Sequence, residues 1–167
     1  MNVKGFIGNV GRTSILLLCL GLSGFAQSHH NDFGSEKDFS NVTPGQELGC
    51  LALNIYHEAR GESATGQSAV AAVTMNRVRS TDYPDSVCEV VWQHKQFSWT
   101  AVAKRHHSVT DIKAWKHALV VAQLFLDGAQ VAEIGNATHY HAKHVRPDWM
   151  EENKMVAIVG NHYFYIL

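Results

Sequence analysis

The sequence predicts an α+β fold, dominated by helices and finished by a small β element near the C-terminus. Three observations lead there. Apolar residues recur at helical spacing in two long stretches, around residues 48–59 and 112–126. Residue patterns that cap helices precede these stretches. β-forming residues concentrate in the last 30 positions.

The first helix opens on Thr43 as N-cap, Pro44 at its first position and Gln46 in a capping box, and runs to Ala59 with Gly61 as a stop. The second runs from about Thr65 to Arg79, with Val70, Val73 and Val78 on its inner face. Tyr83-Pro84-Asp85 is a turn. Ser86-Val-Cys-Glu89 repeats the capping box and opens a short helix to Gln93. From His94 to Ser108 no period is visible; this stretch carries Gln96, Phe97, Ser98 and Trp99, then the basic group Lys104–His107. Asp111 caps the strongest helix, in which Ile112, Trp115, Ala118, Leu119, Ala122, Phe125 and Leu126 form a core stripe that Gly128 ends. Thr138–His141, Val156–Val159 and Tyr163–Ile166 are expected as short strands or a hairpin.

A chain of 167 residues, 46% hydrophobic and 17% charged, is expected to form one globular domain, residues 43–167, and a monomer. A net charge of −1 without a basic run argues against nucleic acid as a partner. Residues 1–26 read as a signal peptide. Lys4 and Arg12 precede an apolar run of about 13 residues, and Ala26 follows as the last residue. That run is shorter and richer in glycine than a membrane span, although a tethered form is the alternative. Its removal takes two cations and no acids, moving the net charge to −3. The product is exported to the periplasm or the cell exterior, with no membrane span left after processing. Residues 27–42 are a polar, aperiodic lead-in, in which His29 and His30 are solvated. Cys50 and Cys88 then remain, an even count that in an exported chain points to a disulfide, with two buried thiols as the alternative.

One carboxylate breaks its own pattern. Leu48, Leu51, Ala52 and Ile55 form a helical stripe, and Glu58 falls about 20° from Leu51 on the same face. Burial disfavours the charged carboxylate and raises its pKa. A carboxyl that keeps its proton near neutral pH can donate it to a leaving oxygen, as a general acid in glycoside cleavage must. The competing possibility is that Glu58 only closes the helix, pairs with Arg60 or turns to water.

Other chemistries find less support. His57-Glu58 would need a second histidine at position 61 to make a zinc helix, and that residue is glycine. His139 and His141 would share one strand face and could hold zinc with a third ligand. Without an accompanying cysteine or carboxylate, the preferred role for them and Tyr140 is hydrogen bonding to a polar substrate, with no metal and no cofactor. No G-x-S-x-G stretch is present.

An ordered set of motifs remains: Leu51–Glu62, Gly66–Val73, Asn76–Val78, Tyr83–Cys88, Gln96–Ser98, Thr138–His141, Pro147–Trp149 and Gly160–Tyr165. Together they resemble the SleB-type cell-wall hydrolases, over about residues 46–166. The resemblance implies a lysozyme-like or lytic-transglycosylase-like domain acting on peptidoglycan glycan strands. It implies Glu58 as the catalytic glutamate and Cys50 with Cys88 as the family's paired cysteines. It places Gln96, Phe97, Ser98, His139, His141 and Pro147–Trp149 along the cleft. Spore members usually carry a separate binding domain, for which this chain has no room; a compact exported murein enzyme of bacterial or phage origin is the expectation.

Glycosidases usually employ two carboxylates. Glu62, Asp82 and Asp85 are the candidates for the second, none of them compelling from sequence. A lytic transglycosylase needs only one, because the C6 hydroxyl of muramic acid is the nucleophile. The 1,6-anhydro product is therefore preferred over hydrolysis. A histidine-dependent metallo-amidase on the stem peptide and a non-catalytic murein-binding module are the alternatives. Trp92, Trp99 and Trp149 are candidates for stacking on sugar rings, whereas Trp115 belongs to the core stripe.

Overall fold

The computed structural model describes residues 42–43, 46–101 and 108–167. The expected signal peptide, nearly all of the lead-in, Pro44 and the Lys104–His107 group lie outside the described residues. Four helices precede a three-stranded sheet: α1 (Glu47–Ala59), α2 (Ala64–Arg79), α3 (Val87–Trp92), α4 (Ile112–Leu126), β1 (His139–Ala142), β2 (Met155–Val159) and β3 (His162–Tyr165).

α1 is the centre of the helical part. It packs against α2, α3 and α4, and every residue from Gly49 to Tyr56 is buried. A helix apolar on all sides belongs in a core. The amphipathic stripe inferred from sequence therefore understates the burial of this helix. Its N-cap is Gln46 rather than Thr43. One arm of the expected capping box forms: the Gln46 side-chain oxygen accepts from the Thr43 N–H at 3.1 Å. Glu47 reaches across to α3, where its carboxylate accepts from the backbone N–H of Val87 (2.6 Å) and Cys88 (3.2 Å). The Cys50–Cys88 disulfide ties the same two helices.

The other helix starts follow local chemistry. Ser63, Ser86 and Asp111 each accept a backbone N–H at the N-terminus of α2, α3 and α4. The buried Tyr56 hydroxyl accepts from the N–H of Thr110 and Asp111, both at 3.1 Å, which pins the start of α4 to α1. Gly128, at φ 102°, takes the left-handed conformation that ends α4.

The sheet has strand order β1-β3-β2 and is antiparallel throughout. Each strand lies within a residue of its expected limits. Tyr140 pairs with Phe164 and His141 with Tyr163, so period-two alternation divides the sheet into two sets of side chains. Tyr140, His162 and Phe164 share one face, while His139, His141, Tyr163 and Tyr165 share the other. The end of α2 holds the entry to β1. Asn76 Nδ2 donates to the carbonyls of Gly135 and Ala137 at 2.9 Å each, and Arg77 Nε donates to that of Thr138 at 2.7 Å.

Candidate active site

Glu58 occupies the last turn of α1 and is half-buried. Tyr140, on the sheet face turned toward α1, donates its hydroxyl to Glu58 Oε2 at 3.2 Å. Burial raises the Glu58 pKa, and the Tyr140 bond and the charge of Arg77 pull it back without cancelling the effect. The C-terminal end of a helix is also its negative pole, which further disfavours an anion there. Tyr140 itself stays protonated, because burial and the facing Glu58 charge push its pKa up.

Arg77 is the residue that sequence reasoning missed. It is 4% exposed, an unusual place for a guanidinium. Its Nε bond to Thr138 and the rings of Tyr83 (5.4 Å) and Phe97 (5.5 Å) hold the group in place. The facing oxygens of Tyr140, Tyr83 and Glu58 favour its charge, against a burial that works to remove it. The signal was available: Arg77 lies four residues after Val73 and seven after Val70, on the apolar face of α2. It is the same anomaly as Glu58 with the opposite sign.

Of the candidate second carboxylates, Glu62 is engaged in tying the α1–α2 turn to the β2–β3 hairpin. Its Oε1 accepts from Asn161 Nδ2 at 2.9 Å and its Oε2 from the Asn161 N–H at 3.2 Å. His162 Nδ1 lies 4.0 Å from Glu62 Oε1. Burial keeps the His162 pKa low. Its ring meets the edge of Tyr140 at 5.4 Å, so Glu62, His162, Tyr140 and Glu58 run in sequence between hairpin and helix. Asp82 is exposed and bonded to Ser80, and Asp85 is exposed.

The remaining sequence candidates are divided. Phe97 is buried beneath the Arg77 guanidinium, Gln96 is half-buried, and Ser98 is exposed at the start of a 3-10 turn. Tyr140 alone of the β1 trio meets Glu58. His139 lies on the other strand face, half-buried, between Trp149 (5.2 Å) and Tyr83 (6.4 Å), its pKa lowered by burial and by Arg77. His141 is buried, with Nδ1 2.9 Å from the Ala142 carbonyl and Nε2 2.9 Å from the Tyr165 hydroxyl. Among the described residues no three His, Cys, Asp or Glu side chains gather in a metal-binding arrangement. Trp149 packs on His139, His141 and Tyr165 and keeps 38% of its surface exposed. Trp99 stacks on His57 at 4.5 Å, and Trp92 meets its edge at 5.3 Å. Trp115 packs edge-on against Tyr56.

With this geometry in place, comparison with known proteins is direct. Residues 61–165 match the Cell Wall Hydrolase family; Glu58 lies three residues before that segment. The spore cortex-lytic enzyme of Halalkalibacterium halodurans is 31% identical over 147 residues, which are 83% of this chain and 41% of the relative. That of Bacillus cereus is 32% identical over 133 residues, 75% of this chain and 47% of the relative. The chain thus spans less than half the length of these relatives. The catalytic domain of the germination-specific lytic transglycosylase SleB from Bacillus anthracis has the same fold, at a TM-score of 0.58 and 31% identity. That likeness covers 75% of this chain and all (100%) of that domain. The helix-dominated α+β architecture expected from sequence is therefore that of a solved relative, and the chain belongs to the Cell Wall Hydrolase family.

Proposed function

We propose that this protein cleaves the glycan strands of peptidoglycan as a lytic transglycosylase, with Glu58 serving first as acid and then as base. The observation that carries the proposal is the half-buried Glu58 carboxyl, its pKa raised by burial and its Oε2 held by Tyr140. The activities of the relatives, spore cortex lysis and lytic transglycosylation, support the same reaction class.

The steps balance on one carboxyl. Protonated Glu58 gives its proton to the oxygen that bridges C1 of a muramic acid residue to the next sugar, and the C1–O bond breaks. The C6 hydroxyl of the same muramic acid attacks C1, and the Glu58 carboxylate takes the hydroxyl proton. A 1,6-anhydro sugar forms, no water is consumed, and Glu58 ends protonated as it began. Ring closure is favoured because the nucleophile is already tethered to the reacting carbon. Glu58 must exist briefly as an anion between the two transfers. The Tyr140 hydroxyl and the Arg77 charge both favour that form. The engagement of Glu62 with Asn161 supports a mechanism in which no second carboxylate takes part.

Gln96, Ser98, His139, Tyr140, His141 and Trp149 are proposed to line the path of the strand, with Phe97 acting from beneath through Arg77. The proposal includes export through residues 1–26 and action as a monomer in the cell wall space. Among the described residues no helix is long and apolar enough to cross a membrane.

Digestion of purified sacculi followed by mass spectrometry tests the function. Anhydro-terminated fragments are expected. Reducing ends without anhydro sugars would mean hydrolysis. Free stem peptides, released only in the absence of EDTA, would mean a metallo-amidase. Tight binding with no product at all would mean a binding module.

A further inference from the structure

The sheet face turned away from Glu58 carries a pocket that shares only His141 with the strand path proposed above. It encloses about 380 Å³, between the outer side chains of β1 and β3 and the segment joining β1 to β2. Its floor is self-satisfied. The Ala142 carbonyl can only accept, so His141 Nδ1 donates to it, and Nε2 is engaged by the Tyr165 hydroxyl at 2.9 Å. The His141 and Tyr165 rings also stack at 5.3 Å, so the floor is aromatic.

The rim is different. Lys143 and Arg146 are exposed lining residues, and neither side chain has a hydrogen bond or ion pair among the described residues. Among the described residues Glu152 is the only acid that lines the pocket. Val145, Met150 and Met155 complete the wall with aliphatic surface. Two cations and one anion beside aliphatic walls complement a ligand of the opposite pattern: two carboxylates, one ammonium and short aliphatic side chains. A neutral sugar would leave both cations without a counter-charge.

We propose that this pocket holds the carboxylate-bearing peptide stem of murein while Glu58 acts on the glycan, so that strands carrying their stems are the preferred substrate. The substrate assignment rests on the function proposed above. Tyr140 and His141 are neighbours on β1 that point to opposite faces, and β1 is an edge strand of the sheet, so the path from one site to the other runs around that edge.

The pocket is tested first by titrating the isotope-labelled protein with a synthetic stem tetrapeptide containing a diamino acid. Chemical-shift changes are expected at Lys143, Arg146 and Tyr163, and at least a tenfold loss of affinity in the K143A/R146A double variant. The same peptide with its carboxylates amidated is expected to bind at least tenfold more weakly than the acidic form. Absence of shifts at millimolar peptide, or affinity unchanged by the double variant or by amidation, overturns the proposal. A second arm compares intact murein with strands stripped of peptide. Wild-type KM is expected to rise about tenfold on stripped strands, whereas K143A/R146A treats both substrates alike. Equal wild-type KM on the two substrates overturns it. Peptide binding without cleavage of either substrate would instead overturn the glycan-cleaving function and leave the pocket standing.

Discussion

The Tyr140 hydroxyl donates to Glu58 Oε2 at 3.2 Å, joining residues 82 positions apart in the chain. That bond favours the carboxylate, while burial at the end of α1 favours the acid. The opposition matters because a group that gives and then retrieves one proton cannot be held too firmly in either state.

Tyr140→Phe removes the donor and leaves burial unopposed on that side. The Glu58 pKa then rises further, so the acid form survives to higher pH. The alkaline limb of the kcat profile is expected to move up. Turnover at its optimum should fall about 10–100-fold, the scale of a lost hydrogen bond to a charged group. A pH–rate series on solubilised glycan strands checks both effects; an unmoved alkaline limb would separate Tyr140 from the titration of Glu58.

Glu58→Gln keeps the shape and removes the ionisable proton. Release of fragments from sacculi is expected to fall by at least about 10²–10⁴-fold. Stability should move the other way. The folded-state pKa of Glu58 is raised, so its favourable contribution is complete below the ordinary carboxyl range and is lost as pH rises through the raised value. Melting curves should therefore show equal Tm for the two proteins near pH 3. A Tm advantage for the glutamine variant should grow as pH rises and then level off.

Arg77→Met leaves the Thr138 carbonyl without its donor and removes a cation from beside Glu58. Denaturant unfolding should show a loss of about 2–4 kcal/mol, in line with breaking a buried charged hydrogen bond. In protein that remains folded, the Glu58 pKa should again rise. A shift of the alkaline limb in the same direction as for Tyr140→Phe would mark the electrostatic part of the effect.

Cys50 and Cys88 are 38 residues apart and close a loop across α1 and α3. In the chain-entropy account, opening such a loop lowers stability by about 4 kcal/mol. Urea unfolding with and without reductant measures this directly, and a Cys50→Ser/Cys88→Ser variant should match the reduced protein.

Glu62→Gln should separate a structural carboxylate from a catalytic one. The amide oxygen can still accept from Asn161, so turnover is expected to stay within about twofold, with a stability loss of about 1 kcal/mol. A loss of turnover comparable to that of Glu58→Gln would make Glu62 the second acid and favour hydrolysis.

Much of the fold was legible because its signals are local. Ser63, Ser86 and Asp111 sit next to the N–H groups they cap, and the apolar period from Ile112 to Phe125 repeats within one helix. The start of α1 was less legible: Gln46 closes only one arm of the box expected around Thr43, and the helix begins at Glu47. Arg77 shares the apolar face of α2 with Val70 and Val73, but spacing alone does not distinguish a long side chain that stays buried from one that snorkels to water; its packing on Tyr83 and Phe97 decides this. The contact between Glu62 and Asn161 spans 99 residues and leaves no trace in either neighbourhood.

By itself, then, the sequence determined the order and type of the elements, the cysteine pair and the acid at the end of α1, since each depends on residues within a turn or two or on a count. Tertiary structure alone decided that Tyr140 meets Glu58 while His139 and His141 look the other way. The physical reason is alternation along a strand: neighbours point to opposite faces, and only the docking of the sheet against α1 and α2 selects which face meets the acid.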